Sequence, residues 1–256
     1  MDSFETSDKE ILEKTPTFAV GRKELYKRFP LQYDLLSRRE DHDGSFHTAL
    51  FEIISSFLPD SCSFPLFYDA GCGTGKLSRH ILGFYPKSRF ISADRQLQML
   101  RVVAPLQSCN PVLASTETSF LRPRSVDIVV AGWTLSETKG SNFIDWKTPV
   151  DTTIDEFEKI ARYGVVICES LALGSDEPKR KGAHLYEYLI KERGYQQRIV
   201  KSDYVFNDKE EGIKLVRMFF GNKRVKELET KMIGMKEGKS EVRLQEWTAL
   251  FYKKTS

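Results

Sequence analysis

What this chain of 256 residues lacks narrows the field before any motif is considered. It has only four cysteines and four histidines. Cys62, Cys72, Cys109 and Cys168 form no CxxC pair, and no histidine stands at ligand spacing from them. That pattern speaks against a structural zinc, and no metal is expected. Two of these cysteines lie in apolar, strand-like runs, where free buried thiols are expected rather than disulfides; this points to a reducing compartment. An excess of one charge is also lacking. Thirty-nine Lys and Arg against 36 Asp and Glu leave a formal charge of +3, which neither requires nor forbids a nucleic-acid partner. The one basic cluster, Lys179-Arg180-Lys181, reads as solvated loop. No apolar run approaches a membrane span, and the start, MDSFETSDKEILEK, is too acidic and polar for a secretory leader. There is no repeat, low-complexity tract or linker-like stretch. The expectation is a single domain over 1–256, in the cytoplasm with the nucleus left open, and without a membrane partner.

What is present centres on Leu66 to Ile81, LFYDAGCGTGKLSRHI. An apolar run breaks into glycines at 71, 73 and 75 and then becomes amphipathic, which is strand, tight turn and helix. Glycines this dense suit a ligand that approaches the main chain at a helix start. Around the turn, strand and helix signals alternate. Strands are predicted at Leu66–Ala70, Arg89–Ala93, Val112–Ala114, Val126–Ala131, Val165–Cys168, Tyr195–Phe206 and Arg243–Lys253. Helices are predicted at Ser45–Leu58 with Ser45 as N-cap, Gly75–Phe84, Leu97–Ala104, Thr153–Tyr163 stopped by Gly164, His184–Arg193, Glu210–Phe220 and Lys223–Met232. Pro30 should break any helix through the N-terminal segment. Such alternation, with β-branched runs such as Val126–Ala131, implies a doubly wound α/β domain with a mostly parallel sheet. Residues 1–60 would form helices over a ligand-binding core of 61–206, and 207–256 a helical insertion with a final strand.

Three ligands fit a glycine turn of this kind. A triphosphate-binding loop needs Ser or Thr directly after its Lys, but Leu77 follows Lys76. A dinucleotide prefers G-x-G-x-x-G, and here Lys76 stands where the third glycine would fall. Asp69 at the strand end also repels a pyrophosphate and favours a cation. The third ligand is S-adenosylmethionine, which carries a sulfonium and an ammonium and no phosphate. The motif D-x-G-x-G-x-G is complete in Asp69, Gly71, Gly73 and Gly75. Asp94, ending the next strand one βα unit later, is positioned to accept both hydroxyls of a ribose.

On these residues the sequence resembles the class I, seven-stranded S-adenosylmethionine-dependent methyltransferases, small-molecule type, over roughly Tyr68 to Cys168. The resemblance implies a Rossmann-like, mostly parallel seven-stranded sheet with helices on both faces and an antiparallel last strand. It implies S-adenosyl-L-methionine as cofactor and a cofactor site built from Asp69, Gly71, Cys72, Gly73, Gly75, Asp94, Arg95 and Met99. Ser115, beside Thr116, stands where the family often has an Asp near the adenine. Gly132 and Trp133 mark the strand end at which cofactor and acceptor meet in the family. The N-terminal segment folds over the cofactor in similar proteins, so Tyr33 would cover the sulfonium and Arg38 pair the methionine carboxylate. The Asn/Asp-Pro-Pro-Tyr/Phe tetrapeptide of base and amide N-methyltransferases is absent.

A general base is needed only if the acceptor carries a proton. Glu137 and Glu169, at sheet-end positions, are the candidates, with His42, His47 and His184 outside the core motif. The plainer reading of each is a solvated or structurally paired side chain, and His80 reads as packing. The expected acceptor is a small molecule. A protein or RNA methyltransferase, or a scaffold that binds the cofactor without turnover, is the alternative, and an NAD oxidoreductase is opposed by Lys76.

Overall fold

The computed structural model describes residues 7–118, 120–138, 145–178, 183–206, 208–232 and 242–255. Four helices come first: α1 (Asp8–Glu13), α2 (Arg22–Arg28), α3 (Pro30–Ser37) and α4 (Ser45–Phe57). Alternation follows through β1 (Leu66–Ala70), α5 (Lys76–Phe84), β2 (Arg89–Asp94), α6 (Leu97–Val103), β3 (Cys109–Leu113) and β4 (Val126–Gly132). It continues through α7 (Leu135–Thr138), α8 (Lys147–Ile160), β5 (Ala161–Leu173), α9 (Ala183–Lys191) and β6 (Gln196–Lys201). The remaining elements are β7 (Tyr204–Phe206), α10 (Lys209–Phe220), α11 (Asn222–Met232), β8 (Val242–Leu244) and β9 (Glu246–Lys254).

Seven strands form one sheet in the order β3-β2-β1-β4-β5-β9-β6. The pairs among β1 to β5 are parallel, whereas β9 runs antiparallel to both of its neighbours. The period of two in side-chain direction sorts the buried residues onto two faces. Tyr68, Val129, Ala131, Val165 and Ile167 pack with Ile154 and Phe157 of α8 and Leu185 and Leu189 of α9. Phe67, Ile128, Val130, Val166 and Cys168 pack with Leu50 and Ile54 of α4, Leu77 and Ile81 of α5, and Val103 of α6. Helices therefore cover both faces, which is why the strands read as continuous apolar runs. The strand order reverses between β1 and β4, and that switch point opens a crevice at the carboxyl ends of the strands.

A third cluster joins the two ends of the chain. Ile11, Leu35 and Leu36 pack with Tyr204, Phe206, Leu215, Val216, Leu228, Val242 and Leu244. β7 and β8 pair as a separate two-stranded ribbon. Alongside it, Val205 N–H donates to Arg39 O (2.8 Å) and Asp41 N–H to Asp203 O (3.1 Å).

The structure revises several predicted bounds. Pro30 ends one helix and, lacking an N–H, begins the next as its first residue. Ser45 is not the cap of α4: Gly44 occupies that position, and Asp41 accepts from the N–H groups of Phe46 (2.7 Å) and His47 (2.9 Å). Helix α8 starts earlier than predicted and ends at Ile160, and β5 starts at Ala161, so Gly164 lies inside a strand and is no helix stop. A Cβ at Gly164 would lie 2.3 Å from the Phe57 ring, so close packing of α4 explains this glycine. The predicted strand Tyr195–Phe206 divides at Ser202 and Asp203, and Arg243–Lys253 divides at Gln245, each half joining a different sheet. All four cysteines are free, three of them buried. Lys179-Arg180-Lys181 lies outside the described residues.

Candidate functional site

The turn after β1 is shaped by the three alternate glycines, with φ of +67° at Gly71, +54° at Gly73 and +87° at Gly75. At Gly71 a side chain is excluded twice, by the left-handed backbone and by Thr134, whose Oγ1 lies 2.4 Å from the place of a Cβ. The Thr134 hydroxyl donates to Gly132 O (2.9 Å) and lies 3.3 Å from Ala70 O, tying the tip of β4 to the turn. Asp94 fixes the turn from the other side. Its Oδ2 accepts from Gly73 N–H (2.9 Å) and its Oδ1 from Gln96 N–H (2.7 Å). Burial raises this carboxyl above the usual carboxylate range, and these N–H bonds work in the opposite direction.

A cleft runs along this turn. Of the residues expected at a cofactor site, Tyr33, Gly71, Gly73, Asp94, Arg95, Met99, Ser115, Thr116, Gly132 and Trp133 line it. Four do not. Asp69 is 1% exposed and lies beneath the turn, accepting from the Ser78 hydroxyl (2.6 Å); burial pushes its carboxyl up to about 7. Cys72 is buried in the core between sheet and helices. Gly75 faces Val103, 2.6 Å from where its Cβ would be, so it serves the packing of α6. Arg38 is ion-paired to Asp8 (2.9 Å) and Asp34 (3.2 Å) and lines neither this cleft nor the cavity beside it. Gly132 lines the cleft, but its missing side chain also makes room for Leu77, 2.9 Å from a Cβ there. Tyr26, Gln96, Ala114, Glu117, Thr134 and Thr138 line it as well. Tyr26 showed in the sequence only as one aromatic among charges, and nothing in the pattern distinguished Thr134.

Beside the cleft is a cavity of about 540 Å³. Tyr26, Tyr33, Trp133 and Glu137 line both spaces, so three aromatic rings and a carboxylate surround their junction. Tyr26 and Tyr33 meet edge to face at 5.5 Å. Burial and nearby carboxylates raise the Tyr33 phenol well above its ordinary value. Trp133 has a φ of +54°, uncommon for a bulky residue, and its N–H donates to Cys168 O (2.7 Å). Its ring lies under Lys76, whose Nζ is 3.5 Å from the ring centroid and 2.5 Å from Glu40 Oε2. Burial lowers the Lys76 ammonium and Glu40 offsets that in part. Glu169 lies inside β5, four residues before its end and not at the sheet-end position expected; it is buried and accepts from Ser136 N–H (3.0 Å), and burial pushes it up to about 7.

The histidines line neither space. His42 and His184 are exposed. His47 meets His80 across α4 and α5 (Nδ1 to Nδ1, 3.3 Å), and burial lowers His80 to about 3. No group of three or more potential ligands for a metal exists among the described residues.

The lining of the cleft discriminates between nucleotide ligands. Among the described residues, Asp94, Glu117 and Glu137 face it against a single cation, Arg95. That balance disfavours a pyrophosphate and favours a positively charged nucleoside, with aromatic rings at its far end for the charge. A Cβ at Gly73 would come 3.5 Å from the Tyr33 ring, narrowing the space between turn and ring. The residues present thus fit S-adenosylmethionine.

No family model and no curated protein matches the sequence. Solved structures match by fold. A candidate type II methyltransferase from Anaeromyxobacter dehalogenans is 14% identical with a TM-score of 0.55, aligned over 81% of this chain and 95% of that one. The YcgJ protein of Bacillus subtilis is 11% identical with a TM-score of 0.52, over 82% of this chain and 98% of that one. A candidate methyltransferase from Bacillus halodurans is 10% identical with a TM-score of 0.51, over 81% and 99%. The architecture is the Rossmann-like fold of class I methyltransferases.

Proposed function

We propose that this protein is an S-adenosylmethionine-dependent methyltransferase with a small-molecule acceptor. The observation that carries the reading is the junction: a cleft lined by the glycine turn and Asp94 meets a second cavity at Tyr26, Tyr33, Trp133 and Glu137. When bound, S-adenosylmethionine supplies a methyl group activated by its sulfonium. The chain's part is to bind and align, since in-line transfer depends chiefly on holding the two reactants together. Asp94, held by two backbone N–H groups, would accept the ribose hydroxyls. Met99, Ser115 and Thr116 would flank the base. Asp69 would keep the turn in shape from below by holding Ser78. The three rings at the junction would exclude water and stabilise positive charge. Glu137 lines both spaces and is the carboxylate best placed to take a proton from an acceptor. The second cavity, walled in part by buried side chains, supports a small acceptor over a macromolecular one.

Thermal denaturation with added ligand tests this. The melting temperature should rise with S-adenosylmethionine and S-adenosylhomocysteine and stay unchanged with NAD or ATP. No shift with either methyl-cycle ligand at millimolar concentration would refute the proposal.

A further inference from the structure

The second cavity has a composition of its own. Among the described residues, four carboxyl groups face it, Glu40, Glu137, Glu169 and Glu246, against the cations Lys76 and Arg224. Both cations are already engaged. Lys76 is bonded to Glu40 (2.5 Å) and Arg224 to Glu227 (2.5 Å). Glu169 and Glu246 are 1% and 2% exposed, and neither has an ion-pair partner among the described residues. Glu246 Oε1 accepts from the Ser170 hydroxyl (2.5 Å). Carboxylates rarely sit this deep without a cation. Rings of Tyr26, Tyr33, Trp133, Tyr186 and Tyr204 share the wall with them.

An anionic acceptor would meet carboxylates whose neighbouring cations are occupied. A neutral alcohol would draw no charge-assisted bond from a lining that holds more carboxyl groups than cations among the described residues. An ammonium ion would meet carboxylates and aromatic faces, the two groups that bind such ions best. Resting on the methyltransferase reading above, we propose that the acceptor is a primary or secondary amine, taken into this cavity as its ammonium ion between Glu169, Glu246 and the aromatic wall.

The chemistry then balances. The ammonium first gives a proton to a cavity carboxylate and so frees its nitrogen lone pair. That pair forms the new N–C bond as the C–S bond breaks with its electrons going to sulfur. The sulfonium becomes a neutral thioether, the product nitrogen takes the positive charge, and the carboxylate passes its proton to solvent. Burial suits the acids to this: Glu169 is pushed up to about 7 and Glu246 to about 8, closer to an amine than an exposed carboxylate is.

Calorimetric titration of three probes sharing one frame tests the assignment: 2-phenylethylamine, 2-phenylethanol and phenylacetate, each with and without saturating S-adenosylhomocysteine. The amine should bind at least about tenfold tighter than the other two. Glu246→Gln and Glu169→Gln, which keep side-chain size, should each weaken the amine by about tenfold while S-adenosylhomocysteine binds as before, which also reports an intact fold. The acceptor assignment is overturned if the alcohol or the acid binds as well as the amine, if none of the three binds, or if both variants leave the amine's affinity unchanged. Loss of S-adenosylhomocysteine binding by the unaltered protein would instead overturn the methyltransferase reading, whatever the probes do.

Discussion

Asp94 and Gly71 show how much of the cleft depends on single side chains, present or missing. Both Asp94 oxygens are held by backbone N–H groups, so the carboxylate meets a ligand without first having to be ordered. Asp94→Asn should weaken S-adenosylhomocysteine about tenfold to a hundredfold by calorimetry, because a charge-assisted pair of hydrogen bonds becomes neutral and one amide oxygen replaces two acceptors. Gly71→Ala acts on the fold instead. Its Cβ would sit 2.4 Å from Thr134 Oγ1, with φ already at +67°. The strain and overpacking should cost about 2–4 kcal/mol, read as a lower urea midpoint with unchanged slope. At this scale the sequence was informative wherever chemistry and local geometry coincide, as in the glycine turn and the acid ending β2. It was silent on Glu246 and on the pairing of Glu40 with Lys76, because those residues meet only through long-range folding.

The N-terminal helices and the residues after β6 behave as one element group. Their shared cluster sets Leu35 and Leu36 of α3 against Leu215 and Val216 of α10, and Arg39 adds an ion pair to Glu211 (2.8 Å). Tyr33 stands on the same helix as Leu35 and lines the cleft. Leu35→Ala should therefore destabilise the fold by about 2–4 kcal/mol and also weaken S-adenosylhomocysteine, the second effect read by calorimetry well below the melting temperature. The sequence showed the core strands plainly, since β-branched runs bounded by glycine or acid have few other readings. It showed the ends of α8 and β5 poorly. Gly164 has the form of a helix stop, and only the ring of Phe57 packed against it reveals why it is there. The breaks at Ser202–Asp203 and Gln245 carry no glycine or proline and so no local sign.

Across the whole molecule, three buried carboxyls give stability an unusual dependence on pH. Burial pushes Asp69 and Glu169 up to about 7 and Glu246 to about 8. In the unfolded chain these groups lose their protons near the ordinary value of about 4. Between those limits the folded state binds more protons than the unfolded one, so stability falls as pH rises. Burial also lowers His80 to about 3, which opposes the trend below its ordinary pKa of about 6.5, but one such group is outweighed by three. The urea midpoint should therefore be higher at pH 5.5 than at pH 8, and Glu246→Gln should flatten that slope. The sheet order has a consequence of another kind. β9 follows β5 and β6 in the chain, yet it lies between them in the sheet. Until it emerges from the ribosome, those two strands each offer an open edge with unmatched amide and carbonyl groups. The nascent chain is thus most prone to aggregate just before β9 is made, and most dependent then on chaperones that shield such edges.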